Sequence, residues 1–136
     1  MMEGEIMKIL VGIAPGDVPE QIIQLALKHA THFTAEVYLL TSLEGGGGTS
    51  EKQVKKAEQV LTYAEGIFQK AGIPCETHFL IRGKSPEIEI LEFAEEKEVD
   101  EIIVGARKRS PVGKALLGSV TQSVSLSANC PVVLVK

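Results

Sequence analysis

Short apolar runs alternate strictly with stretches of helical periodicity, and this constrains the fold more than any other feature of the chain. Residues 8–14 (KILVGIA) form a continuous apolar run closed by Pro15-Gly16. A run without polar alternation suits a strand buried on both faces, as in a parallel sheet. Asp17 is positioned as an N-cap. Over residues 18–33, Ile22, Ile23, Leu25, Ala26, Ala30 and Phe33 recur at helical spacing. Residues 36–41 then read as a second strand carrying Val37, Tyr38, Leu39 and Leu40.

Gly45-Gly46-Gly47-Gly48 follows. A run of glycines has high backbone entropy and no side chains to pack, which predicts a mobile surface loop. Ser50 caps a long helix to about Lys70, with Val54, Ala57, Val60, Leu61, Ala64 and Phe68 on one face; Gly72 and Pro74 end it. Residues 76–81 form a third strand. Ser85-Pro86-Glu87 supplies an N-cap, a proline at the first helical position and an acid in the first turn of a helix reaching about Lys97. A fourth strand covers residues 101–105, a last helix 119–128 and a final strand 131–136.

The order βαβαβαβαβ implies an α/β fold: a doubly wound, five-stranded parallel sheet with helices on both faces. Strand order 3-2-1-4-5 places the reversal between the first and fourth strands. Ligands of such sheets bind there, at the carboxyl ends of the strands. The segment between Gly105 and Gly118 leaves the fourth strand at that point and is read as a basic loop, with Arg107, Lys108, Arg109 and Lys114. Backbone amides, local positive charge and the helix start at Gly118-Ser119 all favour an anion such as a phosphate.

Composition sets further bounds. A length of 136 residues suits one domain with a real core, and 44% apolar with 24% charged residues is ordinary for a globular protein. The net charge of −4 argues against a general nucleic-acid binder. No apolar run approaches a membrane span, and the first residues lack the pattern of a signal peptide, so the cytoplasm is expected. Cys75 and Cys130, each beside a proline, are expected to be small buried hydrophobes. His29, His32 and His78 show no ligand spacing and are expected at surface or boundary positions. Glu92, Glu95, Glu96 and Glu98 read as the solvated face of the third helix.

Several segments resemble the universal stress protein family when taken together and in order. Nucleotide-binding members carry G-x2-G-x9-G-[ST] after the fourth strand. Gly105 matches the first glycine, and Gly118-Ser119 match the last pair. Val99-Asp100-Glu101-Ile102-Ile103-Val104-Gly105 resembles the family's approach to that motif, Arg82-Gly83-Lys84-Ser85-Pro86 its turn before the third helix, and Cys130-Pro131-Val132-Val133-Leu134-Val135 its ending. The resemblance implies a site for ATP or another adenine nucleotide, with Mg²⁺ as an accompanying ion. Gly105, Arg107, Lys108, Gly118, Ser119 and Val120 would line the phosphates and ribose. Gly12, Ile13, Ala14 and Thr41 would lie nearer the base, and Val104 completes the set.

Two positions depart from the family pattern. Lys108 stands at the second glycine, where its Cβ could block the backbone from the phosphates or its ammonium could reach them. Ala14 stands where ATP-binding relatives carry an acid. The resemblance also implies a homodimer through the apolar edge strand at 132–135, an arrangement an unpaired edge invites; an edge covered by the N-terminal residues is the alternative. Gly83-Lys84-Ser85 resembles the tail of a Walker A motif, but His78 occupies the required glycine, and Gly113-Lys114 is followed by Ala115. Both are therefore read as turns and caps. The leading expectation is a regulatory nucleotide-binding module without turnover. The rivals are a nucleotide-free interaction module of the same family and a weak ATPase or phosphotransferase.

Overall fold

A computed structural model describes residues 5–15, 20–109 and 115–136. Its elements in chain order are β1 (Lys8–Gly12), α1 (Glu20–Phe33), β2 (Glu36–Leu43), a 3₁₀ turn (Gly46–Gly48), α2 (Glu51–Lys70), β3 (Cys75–Ile81), α3 (Pro86–Glu96), β4 (Glu101–Gly105), β5 (Arg107–Arg109), β6 (Ala115–Leu117), α4 (Ser119–Ser127) and β7 (Val132–Val135). The main sheet is parallel and runs β3-β2-β1-β4-β7. With β7 as the fifth strand of the alternation, this is the expected 3-2-1-4-5 order.

Alternation within the central strands explains the continuous apolar runs. Ile9 and Val11 of β1, Val37 and Leu39 of β2 and Ile103 of β4 point to one face, where Ile23, Ala26 and Ala30 of α1 meet Leu61, Ala64 and Phe68 of α2. Leu10, Tyr38, Leu40, Ile102 and Val104 point to the other face, against Ile90, Phe93 and Ala94 of α3 and Val124 of α4. Successive strand residues face opposite ways, so a strand covered by helices on both sides has no polar face. Among the described residues, no helix is long and apolar enough to cross a membrane.

Local signals account for the helix ends. Ser50 Oγ accepts from the Gln53 amide at 3.2 Å, and the Ser50 amide donates to Gln53 Oε1 at 2.8 Å, which closes a capping box at the start of α2. Gly83 adopts φ +74° and its amide donates to the Glu44 carbonyl at 2.9 Å, so the chain turns sharply from β3 into Ser85-Pro86. Lys84 Nζ donates to Glu92 Oε1 at 2.7 Å. This segment is a turn and cap, as its incomplete Walker pattern implies.

The structure corrects several expectations. Residues 107–109 and 115–117 are not loop but an antiparallel ribbon, with Arg107 opposite Leu117 and Arg109 opposite Ala115. Arms of three residues are too short to show a sheet period in the sequence. β2 extends to Leu43 because its ladder with β3 continues to the Leu43–Ile81 pair. Cys75 and Cys130 are half-buried rather than buried, since both lie near sheet edges. Part of the glycine run forms a 3₁₀ turn at the surface. The cap expected at Asp17 and the helix start at Val18 lie outside the described residues.

Candidate functional site

The carboxyl ends of β1 and β4 open into a cleft of about 500 Å³. It lies where the strand order reverses: β1 carries the chain outward through β2 to β3, and β4 carries it the other way to β7. Nine of the expected site residues line it: Gly12, Ile13, Ala14, Thr41, Val104, Gly105, Gly118, Ser119 and Val120. Arg107 and Lys108 belong to the ribbon that leaves β4, where their backbones pair with Leu117 and Leu116.

The three expected glycines differ physically. A Cβ on Gly12 would stand 3.0 Å from Val104 Cγ1 and 3.1 Å from Ile90 Cδ1, so Gly12 lets β1 pack under α3. A Cβ on Gly105 would stand 3.1 Å from Ile22 Cδ1, and that glycine admits α1 against β4. Among the described residues a Cβ on Gly118 would meet nothing within 4 Å, and its φ of −69° is open to any residue. Packing against the described residues explains the first two glycines but not the third.

Gly118 is the N-cap of α4 and offers no side-chain hydrogen bond; the first intrahelical bond runs from the Gln122 amide to the Gly118 carbonyl at 3.0 Å. The amides of Ser119, Val120 and Thr121 precede that bond and have no intrahelical acceptor. All three residues line the cleft. Amides without an intrahelical acceptor and the positive end of the helix dipole there suit an anion.

Two hydroxyls fix the neighbouring backbone. Thr41 Oγ1 donates to the Ile13 carbonyl at 2.6 Å, and Thr121 Oγ1 donates to the Gly105 carbonyl at 2.6 Å. Each ties a strand end to an adjacent element, and each spends its proton inside the protein. Ala14 is exposed at the cleft and provides a methyl where an acid was the family expectation.

Sequence reasoning missed Glu20 and Gln21 of α1, Pro86 of α3 and Thr121 of α4, all of which line the cleft. One rule could have found them. Each lies in the first turn of a helix that follows a strand, and those turns sit over the carboxyl ends of a parallel sheet. Elsewhere, His29 Nδ1 lies 2.8 Å from Glu101 Oε1 at the opposite end of the strands, and Glu92, Glu95, Glu96 and Glu98 are exposed as expected.

A doubly wound parallel sheet with an anion-suited helix end at its reversal point defines a Rossmann-like α/β domain of the adenine-nucleotide alpha-hydrolase-like class. The chain belongs to the universal stress protein family, whose model matches residues 5–136. A universal stress protein of Methanocaldococcus jannaschii is 30% identical over 140 residues, covering 95% of this chain and 81% of that protein. The structure of a universal stress protein from Archaeoglobus fulgidus superimposes with a TM-score of 0.85 at 39% identity, covering 96% of this chain and 98% of the other. A universal stress protein structure from the same organism, in complex with dAMP, gives 0.78 at 34% identity with the same coverage of both chains.

Proposed function

We propose that this chain binds an adenine nucleotide, ATP among them, in the cleft between β1 and β4, as a regulatory binding module of the stress response and not as a turnover enzyme. The observation that carries this reading is Gly118. Among the described residues no packing requirement explains its missing Cβ, and it opens onto the cleft a helix end whose first amides have no intrahelical acceptor. The A. fulgidus relative in complex with dAMP supports a ligand of the same chemistry. In this reading Gly118, Ser119 and Val120 hold phosphate, with Gly105, Arg107 and Lys108 beside them. Gly12, Ile13, Ala14, Thr41 and Val104 form the floor nearer the base.

Isothermal titration with AMP and ATP, with and without Mg²⁺, tests the reading. Saturable heat in the micromolar range is expected. No heat at high micromolar nucleotide overturns the reading and leaves the nucleotide-free interaction module. Gly118→Val should abolish binding while the melting temperature stays within a few degrees of wild type, because a branched side chain there meets only the space the phosphate would fill. Unchanged affinity in that variant moves the site elsewhere. We also propose a homodimer through β7, an edge strand whose Leu134 is exposed; light scattering at twice the 14.6 kDa chain mass is the expected result.

A further inference from the structure

The proposed nucleotide cleft has a built anion end at α4, yet Ala14 leaves the β1 side without the acid that a sugar hydroxyl could donate to. Among the described residues lining the cleft, Glu20 is the sole carboxylate side chain. It enters from the first turn of α1, on the same β1-to-α1 connection as Ala14. Its carboxylate is not left free to rotate. The Tyr63 hydroxyl, reaching over from α2, donates a hydrogen bond to Glu20 Oε1. That bond is the main cause that raises the Tyr63 pKa, so the phenol keeps its proton and remains a donor. Tyr63 does not itself line the cleft.

We infer that Glu20, oriented by Tyr63, is the ligand-contacting acceptor for the ribose hydroxyls of the bound nucleotide, in place of an acid at position 14. A carboxylate offers acceptor sites on two oxygens, so one bond from Tyr63 leaves capacity for a second donor. Tethering by Tyr63 lowers the rotamer entropy that an exposed glutamate would otherwise lose on binding. The chemistry is selective by kind. A carboxylate rewards a hydroxyl donor and repels a phosphate, so Glu20 favours the sugar on its side of the cleft and the phosphate at α4. Tyr63 is a positioning residue that acts through Glu20.

This inference rests on the cleft being a nucleotide site, and the test separates the two. Titrations use AMP, 2′-deoxy-AMP and 3′-deoxy-AMP against wild type, Glu20→Ala, Glu20→Gln and Tyr63→Phe. Wild type is expected to bind at least one deoxy analogue about tenfold more weakly than AMP, the loss of one hydrogen bond to a charged group. Glu20→Ala should bring AMP down to that analogue, so that the ratio falls to about one. Glu20→Gln, which keeps a carbonyl acceptor, should retain part of the ratio. Tyr63→Phe should lower the ratio part of the way with no change in melting temperature, a pattern that a merely structural tyrosine would not give. If wild type binds AMP but Glu20→Ala preserves the ratio, Glu20 is not the acceptor and the inference falls while the nucleotide site stands. If wild type binds none of the three nucleotides, the site itself falls and takes the inference with it.

Discussion

Glu89 on α3 is fully buried, at 0% exposure, and among the described residues only the Arg82 side chain bonds to its carboxylate. Arg82 donates to it twice, Nη2 to Oε1 at 2.6 Å and Nε to Oε2 at 3.1 Å. The Arg82 hydrogen bonds pull the Glu89 pKa below its usual 4.5, against the opposing effect of burial. Arg82→Met keeps much of the stem but leaves the carboxylate buried alone. Breaking a buried pair from one side costs about 3–5 kcal/mol, and the lower figure fits here because the Arg82 side chain is 53% exposed and water reaches its outer face. In a chain of this size a loss of about 3 kcal/mol lowers the melting temperature by about 10 °C.

The sign of the pH dependence is fixed by the same geometry. In wild type the folded pKa is depressed, so the pair's contribution is present above pH 4.5 and fades as pH falls through the folded value. In Arg82→Met burial is opposed only by the charge of Lys84, the smallest of the effects on Glu89, so the folded pKa rises above the unfolded one, and the penalty is greatest at neutral pH and shrinks on acidification. The gap between the two proteins should therefore be widest at pH 7 and narrow at pH 4. Urea denaturation at both pH values measures it. Glu89→Gln, which buries no charge, should cost less than Arg82→Met at pH 7. A gap below about 1 kcal/mol at pH 7, the scale of an exposed pair, or a gap equal at the two pH values, refutes the reasoning.

Two further outcomes follow from contacts at other positions. Gly12→Ala should cost about 1–3 kcal/mol by overpacking against Val104 and Ile90, whereas Gly118→Ala, with none of the described residues near its Cβ, should cost less than about 1 kcal/mol; equal losses in urea titrations would show that the Gly12 contacts are not limiting. Burial, with Glu65 and Glu76 nearby, pushes the Cys75 thiol up to about 12, so at pH 8 only about one molecule in ten thousand is thiolate. Its reaction with an aromatic disulfide reagent should run at least about a hundredfold slower than that of free cysteine. A rate near that of free cysteine would contradict this environment.

Much of this architecture was legible because each central strand is apolar at every position and each helix at one stripe. Leu10 and Val11 face opposite layers, and that pair alone demands helices on both sides. Ser50, Gly72 and Pro86 then mark helix boundaries through the backbone chemistry they supply. The β5–β6 ribbon was not legible, since three residues per arm carry no periodic signal. Glu89 was hidden for another reason. It sits among exposed glutamates of α3 as one more acid, and its burial depends on Arg82, seven residues earlier and across a turn. Glu20 was hidden likewise, because an acid in a first helical turn is already explained by the helix dipole.

The site draws its shape and its chemistry from different residues. Shape comes from the sheet and its packing: Gly12 under Val104 and Ile90, Gly105 against Ile22, Thr41 and Thr121 bonded to strand-end carbonyls. These are interior contacts, and changing them costs stability. In the binding site proposed above, chemistry comes from the first turns of α1 and α4, which approach the β1–β4 boundary from opposite layers of the sandwich. The exposed residues there, Glu20, Gln21 and Ser119, meet the cleft and solvent but little of the core, so their substitution is nearly free for the fold. Ala14 illustrates the consequence: it is exposed, and an acid at that position could be lost without disturbing the cleft around it. Binding specificity in such a domain can therefore move between neighbouring first-turn positions while the cleft keeps its form, and a single motif position is a weaker guide to the ligand than the full set of side chains at the strand ends.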